Sequence, residues 1–209
     1  MVDRDCRNND ALPFDNMGHD GIDLSRGLGL IWDMRNIKQI EKKGPALIYL
    51  TTPTRDLMPI FKLAHLARQA VLQLERAANE ADGEIVGYAL LPSALYALVG
   101  FQGSYDLPEF MHNYKWLSSR AIVAQEHGEF HKRLYRKDKF KPWMNRFDNL
   151  AIGTQAQFRA KLDYMHNEPI RKGLAIEPTD WEFSSARDWI RGEPGLISVS
   201  KDLARFGLV

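Results

Sequence analysis

The sequence has few features of a secreted or membrane-spanning protein. Cys6 is the only cysteine among 209 residues, so the sequence holds neither a disulfide framework nor a cluster of thiolate ligands for zinc. The first residues do not combine a basic region with an apolar stretch. No run of about eighteen uncharged apolar residues occurs anywhere. We therefore expect a globular protein of the reducing cytoplasm with no membrane partner.

The chain also lacks a strong overall charge, because it contains 28 Lys and Arg and 27 Asp and Glu. The net charge of +1 therefore indicates no particular class of partner. Residues 115–146 differ, since nine basic residues there outnumber three acidic ones. A solvated surface is one interpretation of this segment, and a phosphate-binding surface is the other. The second interpretation predicts nucleic-acid contacts from Lys115, Arg120, Lys132, Arg133, Arg136, Lys137, Lys139, Lys141 and Arg146.

The longest apolar stretch is EIVGYALLPSALYALVGF, residues 84–101, which Pro92 and Ser93 interrupt. A single buried helix is disfavoured, because a proline in its interior costs about 3 kcal/mol. Two β-strands, residues 84–91 and 94–101, joined by a short turn fit the composition better. Alternation along the second strand then directs Ala94, Tyr96 and Leu98 to one face of the sheet and the residues between them to the other.

Strand and helix patterns alternate around this central hairpin. Residues 46–53 predict a first strand, and a long helix follows, with Asp56 as its cap and Pro59 in its first turn. Pro108 opens a second helix, and residues 143–153 contain the fourth strand. Thr154, with Gln157 three residues later, starts a third helix that we expect Pro169 and Gly173 to end.

The order strand, helix, strand, strand, helix, strand is typical of an α+β fold with a ferredoxin-like (RRM-like) antiparallel sheet. We expect helices on one face of the sheet and an opposite face that is free to bind a ligand. Residues 45–192 form the predicted domain, residues 1–44 an N-terminal extension and residues 193–209 a C-terminal one.

His127 and His131 have a spacing that binds metal ions on a continuous helix. Gly128 interrupts that helix, and no third ligand is evident. We therefore predict no metal site there.

The segment YMHNEPIRKGLAIEPTDWEFSSARDW, residues 164–189, resembles a signature of the REP-associated tyrosine transposases, single-tyrosine members of the HUH superfamily. Their pattern runs Tyr-Ile-His-x-Asn-Pro-x-Arg-x-Gly-Leu and continues to a Trp-Ser-Ser segment. The resemblance covers roughly residues 46–192. The matching positions are Tyr164, His166, Pro169, Arg171, Gly173, Leu174, Ser184 and Ser185.

The resemblance implies a ferredoxin-like core that binds hairpin DNA and a tyrosine nucleophile at Tyr164. It also implies a divalent metal ion held by a His-x-His pair and by an Asn one turn beyond the tyrosine. Here the corresponding positions are Ala94, Tyr96 and Glu168, so both imidazoles are missing. Cleavage of a phosphodiester by a phenol depends on a cation for several kcal/mol of stabilisation. We therefore predict a site at Tyr164 that does not cleave, with no metal and no cofactor.

Phosphate contacts and stacking surfaces do not depend on that metal ion. The sequence therefore favours a domesticated, transposase-like DNA-binding protein, a dimer that recognises hairpin or palindromic DNA in transcription regulation. Arg171 and Lys172 are further candidates for phosphate contacts.

Two alternatives remain open. One is a working single-strand endonuclease that holds Mg²⁺ or Mn²⁺ through Glu168 and a histidine such as His166 or His131. The other is a protein-interaction module that binds its partner through residues 1–44 and the final segment SKDLARFGLV.

Overall fold

The computed structural model describes residues 44–125, 128–136 and 139–208. The N-terminal extension, with its proposed protein partner, therefore lies outside the described residues, apart from Gly44. The strands are β1 (Ala46–Pro53), β2 (Gly83–Leu91), β3 (Ala94–Phe101), β4 (Tyr135–Arg136), β5 (Lys139–Phe140) and β6 (Asp148–Ile152). The helices are α1 (Ala64–Glu80), α2 (Leu107–Val123), α3 (His131–Leu134), α4 (Gln155–Arg171) and α5 (Ala186–Arg191).

Four strands form one antiparallel sheet in the order β2, β3, β1, β6. β3 therefore lies between β1 and β2, the two strands that α1 connects. This is the split βαβ arrangement, and it confirms the predicted fold class. β4 and β5 form a separate two-stranded sheet.

The central hairpin is confirmed, because β2 and β3 are joined by Pro92 and Ser93 and Leu91 pairs with Ala94. We call the end of the sheet where this turn lies the turn end. Leu95, Ala97 and Val99 lie in the core beneath α1 and α2, whereas Leu98 lies in the core on the opposite face. The predicted alternation of side chains is therefore correct.

The first helix begins later than predicted. Asp56 does not cap it, because its backbone is left-handed (φ 52°) and belongs to a short 3₁₀ turn, Arg55–Leu57. A second 3₁₀ turn, Ile60–Lys62, follows, and α1 starts at Ala64 without a side-chain cap. Buried contacts of Ile60 and Phe61 hold this connection against the core, which overrides the local capping signal.

The face opposite α1 and α2 is less open than we expected, because α4 packs across it. Phe158, Leu162 and Met165 of α4 contact the apolar side chains of β1, β2 and β3 on that face. Gly87 of β2 allows the close approach, since a Cβ atom there would lie 2.5 Å from Met165 Cε and 2.9 Å from Leu162 Cδ1.

The predicted start of α4 is confirmed, because Thr154 Oγ1 accepts a hydrogen bond from the Gln157 amide at 3.1 Å. Pro169 does not end the helix, which continues to Arg171. Pro169 has no N–H to donate, but the amides of Lys172 and Leu174 donate to the carbonyls of Glu168 and Pro169, so the last turn persists. The helix ends just before Gly173, which is left-handed at φ 67°.

Residues 181–200 follow the outer edge of β2, and we call them the edge cover. Backbone hydrogen bonds run from Leu90 to Phe183, from Ser185 to Tyr88 and from Ser200 to Ile85. The indole nitrogens of Trp181 and Trp189 donate to the carbonyls of Leu90 and Val86. The edge cover thus satisfies the backbone groups that an edge strand normally exposes.

The final described residues also pack against the sheet. Phe206 and Leu208 are buried, and the Phe206 ring lies against Gly100 of β3. The segment that we considered as a partner-binding tail therefore contributes to the core. Among the described residues, no helix has the length and apolar character needed to cross a membrane.

Candidate nucleic-acid interface

Three tyrosines meet where α4 crosses the sheet. Tyr49 of β1 and Tyr96 of β3 lie on the face that α4 covers, because Thr51 pairs with Tyr96 and side chains alternate along β1. Tyr164 of α4 reaches the same place, with its ring centroid 6.2 Å from that of Tyr96 at an interplanar angle of 66°. We call Tyr49, Tyr96 and Tyr164 the phenol cluster.

Glu168, one helical turn beyond Tyr164, places a carboxylate against this cluster. Its side chain is buried, with 5% of the residue exposed. Oε1 accepts a hydrogen bond from Arg171 Nη1 at 3.1 Å, and Oε2 accepts a long one from the Tyr96 hydroxyl at 3.4 Å. Because a buried carboxylate needs a partner, the ion pair with Arg171 stabilises this arrangement.

Two cations flank the Tyr164 ring. The Arg171 guanidinium carbon lies 4.7 Å from the ring centroid. The Lys161 ammonium lies 5.9 Å from the same centroid and 5.0 Å from that of Tyr49. Tyr164 itself remains 41% exposed. The ring is therefore partly exposed and lies close to two positive charges.

The surroundings keep the three phenols protonated. Burial raises the pKa of Tyr164, the negative charge of Glu168 raises it further, and Arg171 opposes the shift. Burial raises the pKa of Tyr49 to about 12. Burial, followed by the charge of Glu168, also raises the pKa of Tyr96. Tyr164 therefore has little phenolate character at neutral pH.

The three positions at which the resemblance implies a metal site do not suit a divalent cation. Ala94 has no donor atom, Tyr96 offers a neutral phenol, and the Glu168 carboxylate already pairs with Arg171. Mg²⁺ requires several oxygen ligands in near-octahedral geometry. Within the described ranges, no three His, Cys, Asp or Glu side chains form a group that could hold a metal ion.

The histidines considered for an alternative metal site contact other groups. His166 is buried, and its Nε2 lies 2.9 Å from Ser185 Oγ in the edge cover. The His131 ring packs beside Tyr135 and Phe140, with centroid distances of 4.9 and 6.4 Å. His127 is outside the described residues.

The basic residues that follow α2 lie at the turn end of the sheet, and we call the described residues from Lys132 to Arg146 the basic segment. Thr54, which follows β1, bridges to Trp143, and the Arg55 side chain donates to the carbonyls of Lys141 and Trp143. Ile152, just before α4, pairs with Leu47 at the start of β1, and Glu168 in the last turn of α4 accepts a hydrogen bond from Tyr96 near the turn end. Arg171 and Lys172 therefore lie toward the turn end. The side chains of Lys132, Arg133, Lys139, Lys141, Arg146 and Lys172 are exposed. The Arg136 side chain and Lys137 lie outside the described parts.

Lys115 has a structural contact that the sequence did not indicate. Its ammonium donates to the carbonyls of Met144, Asn145 and Arg146 at 2.8, 3.2 and 3.3 Å. Burial lowers the pKa of Lys115 to about 8. Lys115 therefore anchors the segment that carries Arg146. The Arg120 guanidinium carbon lies 4.8 Å from the centroid of the exposed Trp116 ring.

Some aromatic residues near the basic segment belong to the core. Tyr114 and Trp143 are buried and pack against each other, and the Trp143 indole donates to Ser118 Oγ at 2.9 Å. They are not available to stack on nucleic-acid bases. Trp116 and Tyr164 are the large aromatic residues that the structure exposes.

The sequence analysis did not predict that Tyr49 and Lys161 lie beside Tyr164. For both residues the sequence contains an indication. Lys161 lies three residues before Tyr164 on one side of the predicted helix, and Tyr49 shares a strand face with Thr51. The missing information was the packing of α4 against β1, which no local pattern specifies.

Among solved structures, this chain is similar to a REP-associated tyrosine transposase bound to a REP hairpin, with a TM-score of 0.58 and 20% sequence identity. The match covers 80% of this chain and 93% of that one. A candidate transposase from Deinococcus radiodurans R1 matches with a TM-score of 0.43 and 17% identity, over 63% of this chain and 96% of that one. No family model and no curated protein matches the chain. The chain therefore shares its fold with a REP-associated tyrosine transposase.

Proposed function

We propose that this protein is a catalytically inactive, transposase-derived DNA-binding protein that recognises hairpin or palindromic DNA and acts as a regulator. One observation carries this proposal. Tyr164 lies beside Tyr96, at the place where the resemblance implies a cation-binding imidazole, and among the described residues no His, Cys, Asp and Glu side chains group there to hold a metal ion. The fold and its positive charges remain, whereas the requirements for cleavage do not.

Binding to DNA is supported by the solved structure with the same fold, which contains a REP hairpin. It is also supported by the exposed cations at the turn end, where the basic segment and the last turn of α4 lie. Phosphate contacts of this kind supply most of the sequence-independent affinity of DNA-binding proteins.

The absence of cleavage is supported by the chemistry around Tyr164. A nucleophilic phenol must lose its proton, but burial and Glu168 both raise the pKa of Tyr164. A cation at the scissile phosphate is the other requirement, and Ala94 and Tyr96 provide no ligand of the kind that Mg²⁺ prefers.

Binding is tested by fluorescence anisotropy with a DNA hairpin and with an unstructured strand of equal length, from 50 to 300 mM salt. We expect tighter binding of the hairpin and a steep fall of affinity with salt. The triple variant K139Q/K141Q/R146Q should lower the slope of log K against log salt by about 1 for each phosphate contact removed. Absence of binding at the lowest salt would refute the proposal.

Cleavage is tested by incubating a labelled hairpin with Mg²⁺ or Mn²⁺ and separating the products under denaturing conditions. We expect neither a shortened strand nor a covalent adduct, and we expect Tyr164→Phe to bind DNA within about twofold of the wild type. An adduct that forms with the wild type and disappears in Tyr164→Phe would establish the endonuclease alternative instead.

The proposed dimer forms through β6. The edge cover occupies the outer edge of β2, whereas in the described part of the chain no strand pairs with the outer edge of β6. β6 also carries a single charged residue, Asp148. Antiparallel pairing of two β6 strands would extend the sheet across both copies.

A further inference from the structure

The side chains at the expected metal site do not suit a metal ion, but cationic side chains lie close to it. Near the place where the resemblance implies a divalent cation, the structure has two organic cations, Arg171 and Lys161, at 4.7 and 5.9 Å from the Tyr164 ring centroid. We propose that this site binds a phosphodiester group of DNA without a metal ion, with Arg171 and Lys161 supplying the positive charge. This proposal rests on the proposed DNA-binding function and names the group that is bound and the residues that bind it.

Arg171 is held in position by contacts that leave most of its donors free. Its Nη1 donates to Glu168 Oε1 at 3.1 Å and lies 3.5 Å from the Tyr164 carbonyl. A guanidinium has five N–H groups, and half of the Arg171 side chain (51%) is exposed. The remaining donors can form the paired hydrogen bonds with which arginine binds phosphate.

Lys161 provides the second charge without a competing carboxylate. Its ammonium lies near the rings of Tyr49 and Tyr164, and it forms no ion pair with a carboxylate in the described part of the chain. A phosphate near Tyr164 could therefore contact both the guanidinium of Arg171 and the ammonium of Lys161. The two cations outweigh the single negative charge of Glu168.

The Tyr164 ring contacts both cations of this site. The Arg171 guanidinium carbon and the Lys161 ammonium lie 4.7 and 5.9 Å from its centroid, within the range of cation–π contacts. The tyrosine thereby helps to position the two cations, a role that requires no ionisation.

The test compares hairpin DNA binding by the wild type, Lys161→Gln, Arg171→Gln and Arg159→Gln in EDTA and in Mg²⁺. Arg159 is a matched control, because it is an exposed arginine on the same helix, three turns before Arg171. We expect the wild-type Kd to agree within about twofold in the two buffers. We expect Lys161→Gln and Arg171→Gln each to weaken binding about fivefold or more and to reduce the salt slope by about 1, while Arg159→Gln stays near the wild type.

A double variant guards against misfolding. Arg171→Gln leaves the Glu168 carboxylate buried without its cation, so Glu168→Gln/Arg171→Gln serves as a neutral version of the pair. We expect this double variant to melt near the wild-type temperature and still to lose DNA affinity.

Three results would count against the inference, and they differ from one another. If the wild type binds hairpin DNA but both variants behave like Arg159→Gln, the phosphate is bound elsewhere and the proposed function stands. If EDTA abolishes wild-type binding, a metal ion is required and the inference is wrong. If the wild type binds no hairpin DNA at low salt, the proposed function itself fails.

Discussion

His166 connects α4 to the edge cover through a buried hydrogen bond. Its ring nitrogen lies 2.9 Å from Ser185 Oγ, and the same oxygen accepts from the Tyr88 amide at 2.9 Å. His166 is only 3% exposed. Burial lowers the pKa of His166 to about 4, so the imidazole is neutral in the folded protein at physiological pH.

This neutral histidine predicts a loss of stability in acid. An unfolded histidine binds its proton near pH 6.5, whereas the folded one binds it near pH 4, so the unfolded state carries more protons between these values. Stability should therefore fall as the pH is lowered from about 6.5 to 4, by up to roughly 3 kcal/mol. Urea unfolding at several pH values measures this fall, and His166→Gln should show a flatter dependence on pH. An equal dependence in that variant would contradict the assignment.

Lys115 predicts a local effect on the basic segment. Lys115→Gln removes the ammonium from three backbone carbonyls, so amide hydrogen exchange at residues 144–147 should accelerate and the protein should lose about 1 to 3 kcal/mol. Lys62→Gln is the control, because Lys62 pairs with Glu129 at an exposed site and its loss should cost less than about 1 kcal/mol. Equal effects of the two substitutions would show that Lys115 is not an anchor.

The packing of α4 on β2 depends on the missing side chain at Gly87. In Gly87→Ala the new methyl group would meet Met165 and Leu162, so we expect a loss of about 1 to 3 kcal/mol in urea unfolding. Gly103→Ala is the matched control, since no atom lies within 4 Å of a Cβ at that position. It should be neutral or slightly stabilising. A neutral Gly87→Ala would mean that α4 shifts to accommodate the methyl group.

Several elements could be predicted from the sequence because their signals are local. β1 ends at Pro53, the central hairpin turns at Pro92 and Ser93, and Thr154 caps α4 as the patterns indicate. The predicted start of α1 was wrong, since the burial of Ile60 and Phe61 determines the backbone path there. The position of α4 across the second face depends on Gly87 and Met165, which are distant in sequence, so no local pattern predicted it.

In the candidate site, too, the features with a local sequence signal could be predicted and those that depend on distant contacts could not. The resemblance placed Tyr164 and Tyr96 at related positions, and the structure brings their rings together. The Glu168–Arg171 ion pair follows from helical spacing that the sequence contains, but its burial depends on the sheet beneath it. Lys115 was predicted as a phosphate contact, and only the structure shows its ammonium on the carbonyls of residues 144–146.

The proposed dimer makes a prediction for the intact protein. If two copies join through β6, a charge at its exposed Ala151 should disfavour pairing, as charged side chains do on edge strands. We expect Ala151→Lys to shift the mass measured by light scattering from dimer to monomer. Ala160→Lys, at an exposed position on α4, adds the same charge and should leave the dimer intact. A wild type that is monomeric at micromolar concentration would refute the dimer.

The edge cover has a consequence for how far self-association can proceed. A sheet with two bare margins can add copies indefinitely and grow into fibres. In the part of the chain that the structure describes, residues 181–200 occupy the β2 margin of the four-stranded sheet and no strand pairs with the β6 margin. If two copies join along β6 as proposed, neither keeps an open margin on this sheet, and we expect strand addition to stop at two copies.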